Sequence, residues 1–209
     1  MKLTLHTFLT VDGVMQAPGG ADEDRTSGFA YGGWLVPFAD QDMGTIVNGW
    51  FEKADAILLG RSTYDAMFPY WSQVTDPDNT AGVKLNGQPK YVVSSTLRDP
   101  RWRGTTVLSG NVIEQVTELK NGPSGELQIH GSCALARSMH RAGLIDEYRL
   151  LVFPVAVGCG KRLFTDDAPA TGFRLTDSAT TSTGAVYSAL IPAPLEVGTA
   201  EVVAGKEAV

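Results

Sequence analysis

The segment from residue 126 to residue 164 constrains the fold of this chain more than any other. A short apolar stretch at residues 127–129 breaks at a Gly-Ser pair, and residues 133–142 then repeat small and apolar side chains at helical spacing. A second apolar run, residues 148–157, is rich in Leu and Val, which is typical of a strand buried on both faces. This order predicts a right-handed βαβ unit whose helix begins with free backbone N–H groups. Such groups attract anions, most often phosphate.

The remaining hydrophobic periodicity extends this unit into a single α/β domain. Four further strands are expected at residues 2–10, 55–59, 90–93 and 105–108. Three further helices are expected at residues 40–54, 61–68 and 112–120, with Pro69 ending the second of them.

Glycine, proline and polar residues mark the loops and the end of the domain. Residues 71–88 are expected to form a loop, and residues 172–178 and 184–191 an antiparallel hairpin at the end of the sheet. Residues 16–33 are expected to form a long loop, which is either a lid or binding loop or a surface excursion without function. The domain is expected to cover residues 1–192, followed by a flexible tail over residues 193–209.

Composition and charge disfavour several classes of protein. The chain has no apolar run near the roughly 20 residues that span a membrane, and its start lacks a secretory signal, so we expect a cytoplasmic protein. A net charge of −6, with 17 scattered Lys and Arg residues, disfavours nucleic acid as a partner. Cys133 and Cys159 have no metal-ligand spacing with His6, His130 or His140, so no metal site is expected.

Small and hydroxyl-bearing residues follow four of the predicted strands, at residues 60–63, 94–96, 109–111 and 131–133. Ligands of open α/β sheets bind outside the carboxyl ends of the strands, so we expect these segments to line one crevice. Each segment alone is more often a helix cap or a turn. Arg61, however, adds a forked pair of donors that capping does not require. The set therefore favours a polyphosphate ligand.

The common nucleotide-binding fingerprints are absent from the sequence. No Gly-x-Gly-x-x-Gly follows the first strand, and no Gly-x-x-x-x-Gly-Lys-Ser/Thr occurs. The His-x-Glu and Pro-Cys-x-x-Cys elements of zinc deaminases are also absent, so zinc-dependent deamination is not expected. A different α/β fold must therefore carry the site.

Three motifs together resemble a known family. They are Leu9-Thr10-Val11-Asp12-Gly13, Leu58-Leu59-Gly60-Arg61-Ser62-Thr63-Tyr64, and the segment from Leu127 to Phe164 with Ile129-His130-Gly131-Ser132 and Val157-Gly158-Cys159-Gly160. Over residues 2–191 the chain resembles the reductase domain of the bacterial riboflavin-biosynthesis deaminase-reductase. The resemblance implies a three-layer α/β/α fold of the dihydrofolate reductase type, with a mixed, mostly parallel central sheet and a C-terminal antiparallel hairpin.

The resemblance also implies NADPH as the cofactor. The residues that it assigns near the cofactor phosphates are Gly60, Arg61, Ser62, Thr63, Gly131, Ser132, Cys133 and Ala134. It assigns Ser94, Ser95 and Arg98 to the adenosine 2′-phosphate, and Ser109 to the adenine. A bidentate arginine on phosphate is the physical reason to expect NADPH rather than NADH.

Substrate residues follow from the same resemblance. The loop with Asp12 and Gly13, together with Trp34 and the helix from Asp40, is expected to hold a pterin-like or ribosylaminopyrimidine-like molecule. Asp40 is the candidate proton relay and Asp42 the runner-up, while capping of the helix start is the alternative role. His130 and His140 are expected to be packing or surface residues rather than acids.

We therefore expect an NADPH-dependent reductase, similar to 5-amino-6-(5-phosphoribosylamino)uracil reductases. Two alternatives stay open: a dihydrofolate reductase proper, and a non-catalytic module that binds NADP or a small molecule. The apolar run at residues 150–157 and the terminal hairpin also make a homodimer an expectation.

Overall fold

A computed structural model describes residues 1–199 and the backbone of residues 201–203 and 206–208. One sheet contains β1 (Lys2–Thr10), β2 (Ala56–Gly60), β3 (Lys90–Val93), β4 (Thr105–Leu108), β5 (Glu126–His130), β6 (Glu147–Phe153), β7 (Gly172–Thr180) and β8 (Val186–Ala193). The order across the sheet is β4-β3-β2-β5-β1-β6-β8-β7. In this order the strands from β4 to β6 are parallel to one another, and β8 runs antiparallel to both β6 and β7. The predicted mixed sheet with a terminal hairpin is confirmed.

The first strand lies at the centre of the sheet, between β5 and β6. It pairs with β5 from Lys2 to His6 and with β6 from Thr4 to Thr10. The predicted βαβ unit therefore crosses over β1 instead of joining two adjacent strands. Both faces of β1 are covered, which explains why nearly all of its side chains are buried.

Among the described residues, five α-helices cover the two faces of the sheet: α1 (Gln41–Glu52), α2 (Arg61–Trp71), α3 (Thr80–Gly87), α4 (Val112–Lys120) and α5 (Cys133–Arg141). Val116 of α4 and Leu135 of α5 pack in an apolar cluster against one face. Trp50 and Phe51 of α1 and Leu85 of α3 pack in clusters against the other face. The three-layer α/β/α architecture is thereby confirmed.

Two predictions about the region after β2 were wrong. Pro69 lies inside α2, which continues for two more residues to Trp71. The proline lacks one backbone donor, and the helix ends within that turn, so the disruption is confined to its end. The predicted loop at residues 71–88 contains α3, which Asn79 caps by accepting from the N–H of Gly82 at 2.8 Å. A Cβ at Gly82 would lie 2.5 Å from Val74 Cγ1, so glycine is needed there for close packing and does not signal a loop.

The ends of two other predicted elements also differ. β6 stops at Phe153 instead of residue 157, because Pro154 follows and cannot donate to a sheet. Within the predicted tail, β9 (Glu201–Val203) and β10 (Lys206–Ala208) pair antiparallel, while residues 200, 204, 205 and 209 of that tail lie outside the described residues. The domain boundary at residue 192 and the flexibility of the tail stay predictions. Among the described helices, none is long and apolar enough to cross a membrane.

Candidate functional site

The carboxyl ends of β2, β3, β4 and β5 lie side by side on one edge of the sheet. These strands are parallel neighbours in the order β4-β3-β2-β5. The four segments that the sequence singled out follow these strands directly, at residues 60–63, 94–96, 109–111 and 131–133. We call the edge that they share the crevice edge.

Direct contacts join the turns after β2 and β5. The N–H of Gly60 donates to Ser132 Oγ at 2.7 Å. A Cβ placed on Gly131 would lie 3.7 Å from Thr63 Cγ2, so these two residues also face each other. Gly131 and Ser132 both have positive φ, 60° and 61°, which turns the chain sharply into α5. The hydroxyl of Ser132 is thus used to fix the two turns relative to each other.

The two helices that begin at this contact lack side-chain caps. Neither Gly60 at the start of α2 nor Ser132 at the start of α5 caps its helix with a side chain. In contrast, Asp40, Asn79 and Asn111 cap α1, α3 and α4. The first N–H groups of a helix need acceptors, and the helix dipole favours negative ones. Arg61, Ser62 and Thr63 of α2, with Cys133 and Ala134 of α5, therefore present backbone amides suited to an anion.

A groove of about 340 Å³ continues from the start of α2 toward the loop after β3. Three arginines line it, Arg61, Arg98 and Arg101, together with the acids Asp65 and Asp99. Arg61 Nε donates to Asp65 Oδ2 at 2.6 Å, one helical turn away. Both side chains of this pair are exposed, and such surface pairs contribute little free energy. Asp65 therefore competes only weakly for Arg61, and the groove keeps an excess of positive charge.

The hydroxyls after β3 and β4 shape their turns. Ser94 is buried, and its Oγ accepts from the N–H groups of Thr96 and Leu97 at 3.2 and 3.0 Å. Arg98 Nη1 donates to the carbonyls of Ser95 and Leu97 at 3.2 and 3.1 Å, which holds the guanidinium beside the turn. After β4, the carbonyl of Ser109 accepts from Gln115 Nε2 at 2.6 Å, and the residue itself is exposed.

The carboxylate of Asp12, at the end of β1, is held by hydrogen bonds. Its carboxylate accepts from Thr10 Oγ1 at 2.5 Å and from the N–H of Gly158 at 2.9 Å. Burial tends to raise the pKa of Asp12, but these hydrogen bonds outweigh it and lower the pKa. Gly13 follows with φ of 80° and open space around it. The hydrogen bonds of Asp12 therefore hold residues 157–162 against the end of β1.

The long loop at residues 16–33 is packed against the domain. Gln16 is buried, donates to the carbonyls of Asp24 and Thr26 at 3.1 and 3.2 Å, and accepts from the N–H of Lys161 at 3.0 Å. Trp34, predicted to contact substrate, is also buried, and its Nε1 donates to the carbonyl of Gln16 at 2.8 Å. In this arrangement the indole supports the loop from within the core.

The structure favours the capping alternative for Asp40 and gives Asp42 a neighbouring role. Asp40 Oδ1 accepts from the N–H of Met43 at 2.7 Å, and its Oδ2 accepts from Ser182 Oγ at 2.8 Å and from the N–H of Thr183 at 3.0 Å. Asp42 Oδ2 accepts from the N–H of Ser182 at 2.9 Å. Chiefly the bond from Met43 lowers the pKa of Asp40 to about 2. Such a carboxylate carries no proton to donate near neutral pH, so these acids tie α1 to the turn between β7 and β8.

A row of buried, hydrogen-bonded polar side chains lies beneath α1 and was not predicted from the sequence. Arg149 of β6 donates to both oxygens of Glu126 on β5, at 2.8 and 2.9 Å. Gln128 donates to the same carboxylate, and its Oε1 lies 2.8 Å from His130 Nε2. The imidazole rings of His130 and His6 stack with centroids 4.9 Å apart. The available signal was a polar residue at every second position of β5, which is unusual in a central strand.

A family model described as the RibD C-terminal domain matches residues 1–187. The chain belongs to the RibD C-terminal domain family. The match covers β1 to the start of β8, and therefore includes every element of the crevice edge.

Individual relatives are similar in sequence or in fold. Protein YyaP of Bacillus subtilis strain 168, which is uncharacterised, is 27% identical over 187 residues, or 88% of this chain and 92% of YyaP. A pyrimidine reductase-like protein from Corynebacterium diphtheriae superposes with a TM-score of 0.61 at 15% identity, over 92% of each chain. Dihydrofolate reductase from Enterococcus faecalis, solved with NADP(H), gives 0.59 at 13% identity, over 91% of this chain and 96% of that enzyme. At these identities the two structures support the fold of this RibD-family member.

The buried histidines of this RibD-family chain predict that its stability falls in acid. Burial lowers the pKa of His6 to about 4, although contact with Glu126 partly opposes this, and burial also lowers the pKa of His130 well below its usual value. His130 and His140, which were predicted to be packing or surface residues, are both buried. A buried imidazole that resists protonation stabilises the folded state fully above its unfolded pKa, and this contribution is lost as the pH falls.

We expect the free energy of unfolding to fall by roughly 3 kcal/mol between about pH 7 and about pH 4 on account of His6 alone. Denaturant titrations of the wild type and of His6→Gln at several pH values measure this. The variant lacks the titrating ring, so its stability should decline less over the same interval. Equal pH dependence in the two proteins would show that His6 does not carry the effect.

Proposed function

We propose that this chain is an NADPH-dependent reductase that transfers a hydride to a ribosylaminopyrimidine-like or pterin-like small molecule. The observation that carries the proposal is the pair of uncapped helices, α2 and α5, which begin in contact at one edge of the sheet. Membership of the RibD C-terminal domain family supports a reductase of this kind.

The chemistry of the crevice edge fits a phosphorylated dinucleotide. In the proposal, backbone amides of residues 61–63 and 132–134 bind the bridging phosphates, since helix starts stabilise anions without a counter-charge. The resemblance assigned Arg61 to the cofactor phosphates without naming which one; because its side chain lines the same groove as Arg98, the proposal assigns both guanidinium groups to the adenosine 2′-phosphate. In the proposal Ser94 and Ser95 shape that turn, and Ser109 lies beside the adenine. Arg101 lines the same groove and is a further candidate for this contact.

NADPH supplies the hydride when it is bound, so the protein needs few reactive groups of its own. The role of the chain is to align the two reacting rings and to exclude water from them. Asp40 is not assigned a proton transfer, because its carboxylate is fully hydrogen-bonded and its pKa is about 2. Any proton that the substrate requires therefore comes from water in this proposal.

Two measurements test the proposal in order. Titration of the protein with NADPH, followed by nucleotide fluorescence, is expected to show saturable binding that NADH reproduces only weakly. Oxidation of NADPH is then followed by absorbance with 5-amino-6-(ribosylamino)uracil 5′-phosphate and, separately, with dihydrofolate. Turnover of the pyrimidine is expected.

The other outcomes discriminate between the alternatives. Turnover of dihydrofolate alone would identify a dihydrofolate reductase proper. Binding of NADPH without turnover of either substrate would identify a binding module. Absence of NADPH binding would contradict both the cofactor assignment and the proposed reaction. The homodimer and the cytoplasmic location stay predictions, and sedimentation of the purified protein would test the first.

A further inference from the structure

The row of buried polar side chains beneath α1 ends with His130, at the end of β5. His130 is the last residue of β5 and is followed directly by Gly131 and Ser132. Its backbone partner in the sheet is His6, and the N–H of Gly131 donates to the carbonyl of His6 at 3.1 Å. The backbone of His130 therefore leads directly into the turn that the proposed function assigns to the cofactor, while its ring lies on the side of the sheet that α1 covers.

Both faces of the His130 ring are covered by other rings. Phe51 of α1 stacks on one side, with centroids 4.3 Å apart and planes 5° from parallel. His6 stacks with centroids 4.9 Å apart at 23°. Only the edges of the imidazole remain for polar contacts, and Gln128 takes the edge that carries Nε2.

The chain of hydrogen bonds fixes where the proton of His130 lies. Arg149 holds Glu126 as a carboxylate, which can only accept. The amide NH₂ of Gln128 must then face Glu126 and the carbonyl of Trp50, to which it donates at 2.6 Å. The opposite side of that amide is its oxygen, so His130 Nε2 must be the donor to it. A neutral imidazole has one proton, and Nδ1 is therefore left with a lone pair.

Other features of the cluster support a polar role. The imidazole stays neutral because burial lowers the pKa of His130. The Nδ1 of His6 is buried and has no hydrogen-bond partner among the described residues. Buried polar atoms without partners are rare in folded proteins and need an explanation. Here the atom belongs to the ring that stacks on His130.

We propose that Arg149, Glu126 and Gln128 form a positioning chain that keeps His130 Nδ1 as a hydrogen-bond acceptor for an N–H group of the substrate heterocycle. The inference rests on the proposed function and on the expectation that the helix from Asp40, which is α1, helps to hold the substrate. It assigns His130 to substrate recognition and not to proton transfer. An aminopyrimidine offers N–H groups that can donate to Nδ1, whereas a ligand with only acceptors would be repelled by the lone pair on Nδ1.

The protonation of His130 is tested without any ligand. Histidine labelled with nitrogen-15 gives separate NMR signals for a protonated and an unprotonated ring nitrogen. The signals that disappear in His130→Phe belong to His130. In the wild type, the His130 signals are expected to show a protonated Nε2 and an unprotonated Nδ1. In Gln128→Leu they are expected to show a mixture of the two tautomers. A protonated Nδ1 in the wild type, or identical signals in Gln128→Leu, would overturn the positioning chain.

Recognition is tested by titrating 5,6-diaminouracil in the presence of saturating NADPH. His130→Phe keeps the stacked ring and is expected to weaken diaminouracil binding by about tenfold or more, which is the loss expected for one buried hydrogen bond. His130→Asn restores an acceptor near the position of Nδ1 and should recover most of the affinity. His140→Phe, a matched exchange at another buried histidine, should bind like the wild type. NADPH affinity should be unchanged in all three.

The outcomes separate this inference from the proposed function. Wild-type affinity for diaminouracil in His130→Phe would overturn the recognition role even if NADPH binds. A wild type that binds NADPH but not diaminouracil would overturn the assignment of an aminopyrimidine to His130. Failure to bind NADPH would count against the proposed function, whereas the tautomer measured by NMR would still decide the positioning chain.

Discussion

Replacing Arg149 with methionine should lower the free energy of unfolding by about 3–5 kcal/mol, the range for breaking one side of a buried ion pair. The side chains of Arg149 and Glu126 are only 5% and 11% exposed. In the wild type, burial would raise the pKa of Glu126, but contacts with His6 and Arg149 outweigh it and lower the pKa to about 2. Without the guanidinium, the carboxylate stays buried with Gln128 as its main donor. Urea titrations near neutral pH measure the loss.

The double variant Glu126→Leu with Arg149→Met is the matched control. Arg149 Nε also donates to Glu147 at 2.6 Å, but Glu147 keeps its contact with Lys2. Removing Glu126 together with Arg149 therefore leaves no buried carboxylate without a partner in this cluster, so most of the lost stability should return. Lowering the pH should also narrow the gap between Arg149→Met and the wild type, because a protonated Glu126 no longer carries the buried charge. A double variant as unstable as Arg149→Met would mean that packing, and not charge, dominates this site.

Replacing Arg61 with alanine should weaken NADPH binding roughly 10- to 100-fold, as expected when a charge-assisted hydrogen-bond donor to phosphate is lost. NADH lacks the 2′-phosphate, so its affinity should change little. The ratio of the two dissociation constants, measured by nucleotide fluorescence, therefore reports the proposed contact directly. Arg61→Lys should fall between the wild type and the alanine variant, because lysine keeps the charge but not the forked donors.

Two neighbouring residues give the controls for Arg61. Arg103→Ala removes an exposed arginine that lies outside the groove of Arg61, and should leave NADPH binding unchanged. Asp65→Asn removes the carboxylate that competes for Arg61 Nε, and should strengthen NADPH binding by up to about fivefold. Equal losses for NADPH and NADH in Arg61→Ala would contradict a contact with the 2′-phosphate.

The strands and most helices could be predicted because their signals are local. The alternation in β1 and the apolar runs of β2, β3 and β6 mark buried strands, and the spacing of Met43, Ile46 and Trp50 marks α1. α3 was missed because Gly82 weakens the helical signal, although Asn79 provides a cap. The reason for that glycine is the approach of Val74, which is a tertiary contact and leaves no local pattern.

The sequence by itself determined the α/β class, the family resemblance and the turns with small residues that follow the strands. Only the tertiary structure decided that β1 lies between β5 and β6, which brings His6, Glu126 and Arg149 together from distant parts of the chain. Side-chain spacing along a strand specifies which residues share a face. It does not specify which strands become neighbours, because that depends on how whole faces pack against one another. For the same reason, only the folded structure shows that Arg101 lines the same groove as Arg61.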